Sequence, residues 1–136
     1  MLLMRHLGID YGTKKIGLAL SDEAGTMGFP HAVIPVVGAD AYVLELIRKE
    51  GVEKVVIGES RDFSGKENPV AEGARTFGDY VEQHSGIRVV YEPEALTTQE
   101  ARRSPEGDRR KDAGLLDASA AALILTSYLS RHDTTR

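Results

Sequence analysis

The 136-residue sequence contains no cysteine and no tryptophan, and its excess of acidic over basic residues is small. Without cysteine the chain forms neither disulfides nor zinc–thiolate sites, so any metal must be bound by oxygen or imidazole ligands. Long apolar runs are missing too: the opening MLLMRHLGID reaches Arg5 after four residues. That is too short for a signal-peptide core and far below the ~20 residues that span a bilayer. These absences indicate a cytoplasmic protein that does not bind a membrane.

The remaining composition is that of a folded domain. The sequence is 41% hydrophobic and 28% charged, which favours one compact domain over residues 1–136. The 17 Lys and Arg against 21 Asp and Glu give a net charge of -4, and this argues against strong nucleic-acid binding, which rests on cations that neutralise phosphates. A cluster of metal-binding carboxylates would also make the net charge negative, and bound cations would offset part of that charge. A local basic surface for nucleic acid therefore remains compatible with the composition.

The spacing of apolar residues predicts the element order βββαβαβα. HLGID and IGLALS flank a short turn as a hairpin, and a third strand is expected over about 29–37, where Pro35 favours a sheet edge. Helices are expected over 41–50, 68–84 and 115–129, and buried strands over 52–58 and 87–91. Thr97 and Glu100 match a capping box and predict a further short helix.

An antiparallel meander followed by parallel crossovers defines a mixed five-stranded α/β sheet with helices on both faces, the ribonuclease-H-like plan. The halves of actin-like ATPases begin with the same element order, and the segment after Asp10 is similar to their phosphate loop. Those proteins clamp their nucleotide between two such domains, whereas 136 residues supply one. The length therefore favours the nuclease plan.

Three carboxylates are the candidates for chemistry. Asp10 ends the first strand; a turn aspartate before glycine explains it as well as a metal ligand does. Glu94 follows the strand at 87–91, at the sheet edge where α/β proteins bind ligands, and we expect that strand beside the first one; the alternative is a surface-loop acid. Asp117 is the one ionisable residue in the apolar run of the last helix, or else an acid favoured by the helix dipole.

Three carboxylates brought together without a cation would repel one another by roughly 4 kcal/mol per pair at 4 Å. Oxygen-only ligands favour Mg²⁺ or Mn²⁺. Two such ions suit the in-line attack of water on a phosphodiester. The residues alone thus predict a metal-dependent hydrolase, with Asp10, Glu94 and Asp117 as both catalytic residues and metal ligands.

The sequence resembles the RuvX (YqgF) family, the pre-16S ribosomal RNA nucleases that are also described as Holliday-junction resolvases. The resemblance covers nearly the whole chain. It rests on four blocks of sequence: GIDYGTKKIGLALSD at 8–22, VVIG with DFSGKENP over 55–69, PEALTTQEAR at 93–102, and DASAAALIL at 117–125.

This resemblance implies that Asp10, Glu94 and Asp117 correspond to the family's three acids. The family usually has Asp-Glu-Arg where this chain has Pro93-Glu94-Ala95, so an arginine beside Glu94 is missing. Related resolvases use a fourth acid, and Glu59 and Asp112 are the candidates. The implied reaction is phosphodiester hydrolysis, either endonucleolytic or with limited trimming, that leaves 5′-phosphate and 3′-hydroxyl ends.

Contacts to phosphate are expected from basic residues in three places, the first turn, the segment after the fourth strand and the loop before the last helix. These residues are Lys14, Lys15, Arg61, Lys66, Arg102, Arg109, Arg110 and Lys111. Acidic residues are interleaved with the basic ones in the last loop, so a solvated surface explains that loop almost as well. Because no aromatic ladder for base stacking is visible, recognition of backbone and shape is favoured.

On the family resemblance alone, structured RNA and precursor ribosomal particles are the expected partners. Branched DNA is the alternative substrate, and a junction-resolving enzyme would need to be a two-fold homodimer. A third alternative is a ribosome-assembly or nucleic-acid-binding factor with weak catalytic activity, which the residues around Glu94 keep open.

Overall fold

The computed structural model describes residues 5–59, 69–93 and 113–131, without the side chains of 59, 69, 70, 93 and 113–117. Five strands and three helices lie within these residues. They are β1 (His6–Tyr11), β2 (Lys15–Ser21), β3 (Gly28–Pro35), α1 (Ala39–Glu50), β4 (Lys54–Glu59), α2 (Pro69–Ser85), β5 (Arg88–Pro93) and α3 (Ala113–Arg131).

The strands form one mixed sheet in the order β3-β2-β1-β4-β5. β1 pairs antiparallel with β2 and β2 antiparallel with β3, whereas β4 is parallel to both β1 and β5. The predicted meander, the parallel strands and the mixed five-stranded sheet are therefore confirmed. Pro35 is the last residue of the edge strand β3, where its missing N–H costs no ladder hydrogen bond.

The sheet separates two apolar layers because successive strand residues point to opposite faces. Leu7 and Ile9 of β1 pack with the buried residues of α1 and α2. Val56 of β4 packs instead with the buried residues of α3. Helices thus cover both faces, as expected, and the buried residues of β1 and β4 alternate between the α1/α2 face and the α3 face.

The helix boundaries follow local chemistry. α1 ends at Gly51, which adopts a left-handed conformation with φ 67° and donates its N–H to the carbonyl of Ile47, a conformation that glycine adopts without a steric penalty. α2 begins at Pro69, as predicted for a residue whose missing N–H is not needed in the first helical turn. Ala74 and Val81, which lie about two helical turns apart, are buried and belong to the apolar face of α2.

One prediction about strand order is wrong. β5 does not lie beside β1, because β4 lies between them. The physical reason is that the crossover through α1 places β4 in the open position next to β1, and the crossover through α2 then adds β5 outside β4. The predicted helix at Thr97 and Glu100 lies outside the described residues.

Within the part of the chain that the structure describes, no helix is both long enough and apolar enough to cross a membrane.

Candidate functional site

Asp10 is the penultimate residue of β1 and is partly buried. Because Leu7 and Ile9 belong to the α1/α2 face, alternation places Asp10 on the α3 face. Its partner on β2 is Gly17. On β4, continuing the register by one residue from the Ile9–Ile57 pair leads to Gly58. The residues directly opposite Asp10 on the two neighbouring strands are therefore both glycines.

The path of α3 over β1 relates Asp10 to Asp117. His6, near the start of β1, contacts the ring of Tyr128, with ring centroids 6.3 Å apart. Gly8, two residues further on, meets an earlier part of α3: a Cβ built on it would lie 2.9 Å from the carbonyl oxygen of Ala121. Moving along β1 towards Asp10 thus corresponds to moving back along α3, and Asp117 precedes Ala121 by one helical turn.

The second and third predicted acids are described less completely. The backbone of Asp117 lies in the first part of α3, and its side chain is outside the described part of the structure. Glu94 follows β5 by one residue and also lies outside it. Since β5 is two strands from β1, at a spacing of roughly 4.8 Å per strand, the expected direct neighbour relation between the strands of Asp10 and Glu94 is absent.

No group of three His, Asp or Glu side chains that could hold a metal ion occurs among the side chains described here. Glu94, the carboxylate of Asp117, and the fourth-acid candidates Glu59 and Asp112 lie outside those side chains. A carboxylate at the end of a strand, with glycines on both neighbouring strands, has the oxygen donor that Mg²⁺ and Mn²⁺ prefer. Asp10 therefore fits the chemistry of the predicted metal site.

Lys14 lies in the turn between β1 and β2, Lys15 is the first residue of β2, and both are exposed. Two backbone hydrogen bonds hold this turn: the Gly12 N–H donates to the Lys15 carbonyl at 3.0 Å, and the Val36 N–H donates to the Lys14 carbonyl at 2.9 Å. The two cations therefore project from a fixed backbone close to the end of β1. The other predicted phosphate-binding residues lie outside the described residues, namely Arg61, Lys66, Arg102, Arg109, Arg110 and Lys111.

A buried carboxylate that the sequence analysis missed lies at the end of β5. Glu92 is 2% exposed, and its Oε2 accepts a hydrogen bond from the Ser127 hydroxyl at 3.2 Å. The same oxygen pairs with Arg131 Nη2 at 2.6 Å. Strand alternation could have indicated that Glu92 is buried, because Glu92 lies on the same face of β5 as Val90, which packs on α3. The partner could not be identified from the sequence, because it lies 39 residues away.

Asp22 is a second carboxylate with a clear structural role. Its side chain accepts hydrogen bonds from the amides of Thr26 at 2.7 Å and Met27 at 3.3 Å, and it pairs with the Thr26 hydroxyl. Burial opposes the charge, but these hydrogen bonds outweigh it and hold the pKa of Asp22 below 3.8. Asp22 lies at the opposite end of the hairpin from Asp10 and is not part of the candidate site.

The α1/α2 face has a cavity of about 570 Å³, lined by residues that include Tyr11, Asp40, Glu72 and Phe77. It lies across the sheet from the Asp10 side chain. Its charged groups are both acidic, and a phosphate chain would be repelled there. The α3 face, with Asp10, is therefore the better candidate for a nucleic-acid site.

Known proteins resemble this chain in sequence and in fold. It is 38% identical over 134 residues to the pre-16S rRNA nuclease of Moorella thermoacetica, covering 94% of this chain and 96% of the relative. It is 36% identical over 138 residues to the protein of the same name from Limosilactobacillus fermentum, covering 95% of each. RuvC of T. thermophilus, solved in complex with a Holliday junction substrate, superposes with a TM-score of 0.60 at 20% identity over 97% of each chain.

The RuvC match supports the fold, and the ribonuclease-H-like plan predicted from the sequence is thereby confirmed. A model of the RuvX family, described as Holliday junction resolvase, matches residues 4–131. With this match and with relatives above 30% identity over nearly the full length, the chain belongs to the RuvX family.

Proposed function

We propose that this protein is a metal-dependent nuclease that hydrolyses phosphodiester bonds of precursor 16S ribosomal RNA in the cytoplasm. The observation that supports this most directly is the position of Asp10, at the carboxyl end of the central strand and on the face covered by the helix that contains Asp117. Relatives that match almost the whole chain are named pre-16S rRNA nucleases, and their similarity includes the Asp10 and Asp117 segments.

In this proposal Asp10, Glu94 and Asp117 hold one or two Mg²⁺ or Mn²⁺ ions. A bound divalent cation supplies charge stabilisation at the phosphoryl oxygens and activates water at neutral pH. Asp10 contributes a carboxylate on the central strand, which pairs with β2 on one side and with β4 on the other. The exposed Lys14 and Lys15 bind the phosphate backbone next to the scissile bond and keep the strand in place.

The decisive test is Asp10→Asn, which replaces one carboxylate oxygen by an amide and preserves the shape of the side chain. Cleavage of a structured precursor RNA should fall by more than about 100-fold, because losing even an outer-shell partner of a metal ligand costs ~10–100-fold in metal affinity. Stabilisation by Mn²⁺, seen as a rise in Tm with metal concentration, should be lost in the same variant. Asp79→Asn is the matched control, since Asp79 is exposed on α2, across the sheet.

Two results would contradict the proposal: a wild-type protein that cleaves no RNA with either metal, or an Asp10→Asn variant that cleaves as well as the wild type. The first result would favour a ribosome-assembly factor that binds RNA without cutting it. Retained binding of precursor ribosomal particles would then identify that function.

A four-way DNA junction is the second substrate to test, because the family description names junction resolution. RNA and junction cleavage must be compared at the same salt concentration, since backbone binding depends steeply on salt. Resolution of a junction by paired cuts requires a two-fold dimer with two active sites. Sedimentation of the protein with and without the junction tests that dimer.

A further inference from the structure

Arg131, the last residue of α3, is held at the carboxyl end of β5 by the buried Glu92 carboxylate. The two groups differ sharply in exposure: the side chain of Glu92 is 2% exposed and that of Arg131 is 56% exposed. Solvent therefore meets the guanidinium and hardly meets the carboxylate. The pair is neutral in total, but the surface at this point is cationic.

A role in stability explains part of this arrangement. A cation at the end of a helix is favoured by the helix dipole, and an uncompensated Glu92 would be costly because it is buried. Neither effect requires the guanidinium to stay at the surface. A guanidinium has five N–H donors, and the contact with Glu92 is made by Nη2. The exposed part of the group remains suited to a second anion.

The position of this cation relates it to Asp10. Glu92 pairs with Gly58 of β4, and extending the register of β4 with β1 by one residue beyond the Ile57–Ile9 pair aligns Gly58 with Asp10. Glu92 and Asp10 thus lie at the same level of the sheet, about 10 Å apart at two strand spacings. Glu92 shares the α3 face with Asp10, because it contacts Ser127 of α3.

We infer that Arg131 is a binding residue for a phosphate of the nucleic-acid backbone, oriented by Glu92 at the carboxyl end of β5, two strands from the strand of Asp10. The ligand class is a phosphodiester of the strand that enters the site. The guanidinium of Arg131 makes a charge-assisted contact with the phosphate oxygens, while Glu92 limits the rotation of its side chain. This assignment rests on the proposed function for the choice of ligand, and it adds a contact on the side of the site opposite Lys14 and Lys15.

The test measures binding of a fluorescently labelled RNA hairpin in EDTA, where no cleavage occurs, between about 50 and 200 mM salt. Arg131→Gln should weaken binding by about tenfold, the effect of one hydrogen bond to a charged group. The slope of log K against log[salt] should become shallower by about 0.7 to 0.9, the value for one phosphate contact. A purely structural role would not change this slope.

Two further variants separate binding from folding. Arg88→Gln is the matched control, because Arg88 is an exposed arginine at the first position of β5, the strand that has Glu92 near its other end. The RNA affinity and the salt slope of this variant should stay close to those of the wild type. The double variant Glu92→Gln with Arg131→Gln leaves no unpaired buried charge. It should regain the thermal stability that Arg131→Gln loses, while its RNA binding stays weak.

Equal affinity and equal salt slope for Arg131→Gln and the wild type would overturn the assignment, as would wild-type binding by the double variant. Failure of the proposed nuclease function is a different outcome. In that case the wild type does not cleave RNA with Mg²⁺ or Mn²⁺, and the binding difference between Arg131→Gln and Arg88→Gln in EDTA is still measured.

Discussion

Gly8→Ala tests whether the close approach of α3 to β1 forms the site. A Cβ at Gly8 would lie 2.8 Å from the Leu125 Cβ and 2.9 Å from the Ala121 carbonyl oxygen. Ordinary contact begins at 3.4 Å, so α3 has to move away from β1 by about 0.6 Å. The carbonyl belongs to the helix backbone and cannot rotate away, so the new methyl group displaces the helix as a whole.

The expected cost of such overpacking is roughly 1–3 kcal/mol. For a chain of this size the Tm should fall by roughly 3–12 °C. Because the displaced helix contains Asp117, we also expect the variant to need a higher Mn²⁺ concentration for half-maximal cleavage. Thermal unfolding and a metal titration of RNA cleavage measure the two effects separately.

Gly28→Ala is the control for this prediction. Its Cβ would lie 2.9 Å from the Ala122 carbonyl oxygen and 3.0 Å from the Leu125 Cβ, so it disturbs the same helix from the edge strand β3. A similar loss of Tm is expected, with a smaller change in the metal requirement, because β3 is two strands from Asp10. If Gly8→Ala leaves both the Tm and the metal requirement unchanged, the reasoning about α3 is refuted.

Two further predictions concern the two ends of the β1–β2 hairpin: the turn between β1 and β2, and the turn between β2 and β3 that contains Asp22. The double variant Lys14→Gln with Lys15→Gln should bind the RNA hairpin more weakly, with a salt slope shallower by roughly 1.4–1.8, the value for two phosphates; an unchanged slope would exclude both lysines. The pKa of Asp22 is lowered by its turn, so the stability from this carboxylate is complete above 3.8 and is lost as the pH falls through the lowered pKa. Hydrogen exchange of the Thr26 amide against pH should show this loss, and Asp22→Asn should remove the pH dependence.

Much of the fold could be predicted because the periodicity of each element is strong. The pattern around Ile9 indicates a strand and the long apolar run of α3 indicates a helix. Pro35 and Gly51 mark the ends of β3 and α1. The order of the parallel strands was harder to predict. β4 and β5 are both short apolar runs, and an apolar run specifies burial on two faces without specifying a neighbour.

The candidate site was predictable to a different extent for each residue. Asp10 could be placed because a strand and a turn bracket it in the sequence. The pairing of Glu92 with Arg131 could not be predicted, since it depends on the angle at which α3 crosses the sheet, and no local pattern encodes that angle. Contacts between elements far apart in sequence follow from packing, so they appear only when the two layers of the fold are in place.

The distribution of charge explains how an acidic chain can bind an acidic polymer. Asp10 lies near the carboxyl end of the central strand β1, and the residues opposite it on both neighbouring strands are glycines. Exposed cations lie on either side of it: Lys14 and Lys15 where β1 turns into β2, and Arg131 of α3, which pairs with Glu92 of β5. In the proposed complex, a strand of nucleic acid that contacts both sides would pass over Asp10, where bound cations would offset the remaining negative charge. The net charge of -4 is therefore a poor guide to this surface, because binding depends on the few charges that meet the phosphates.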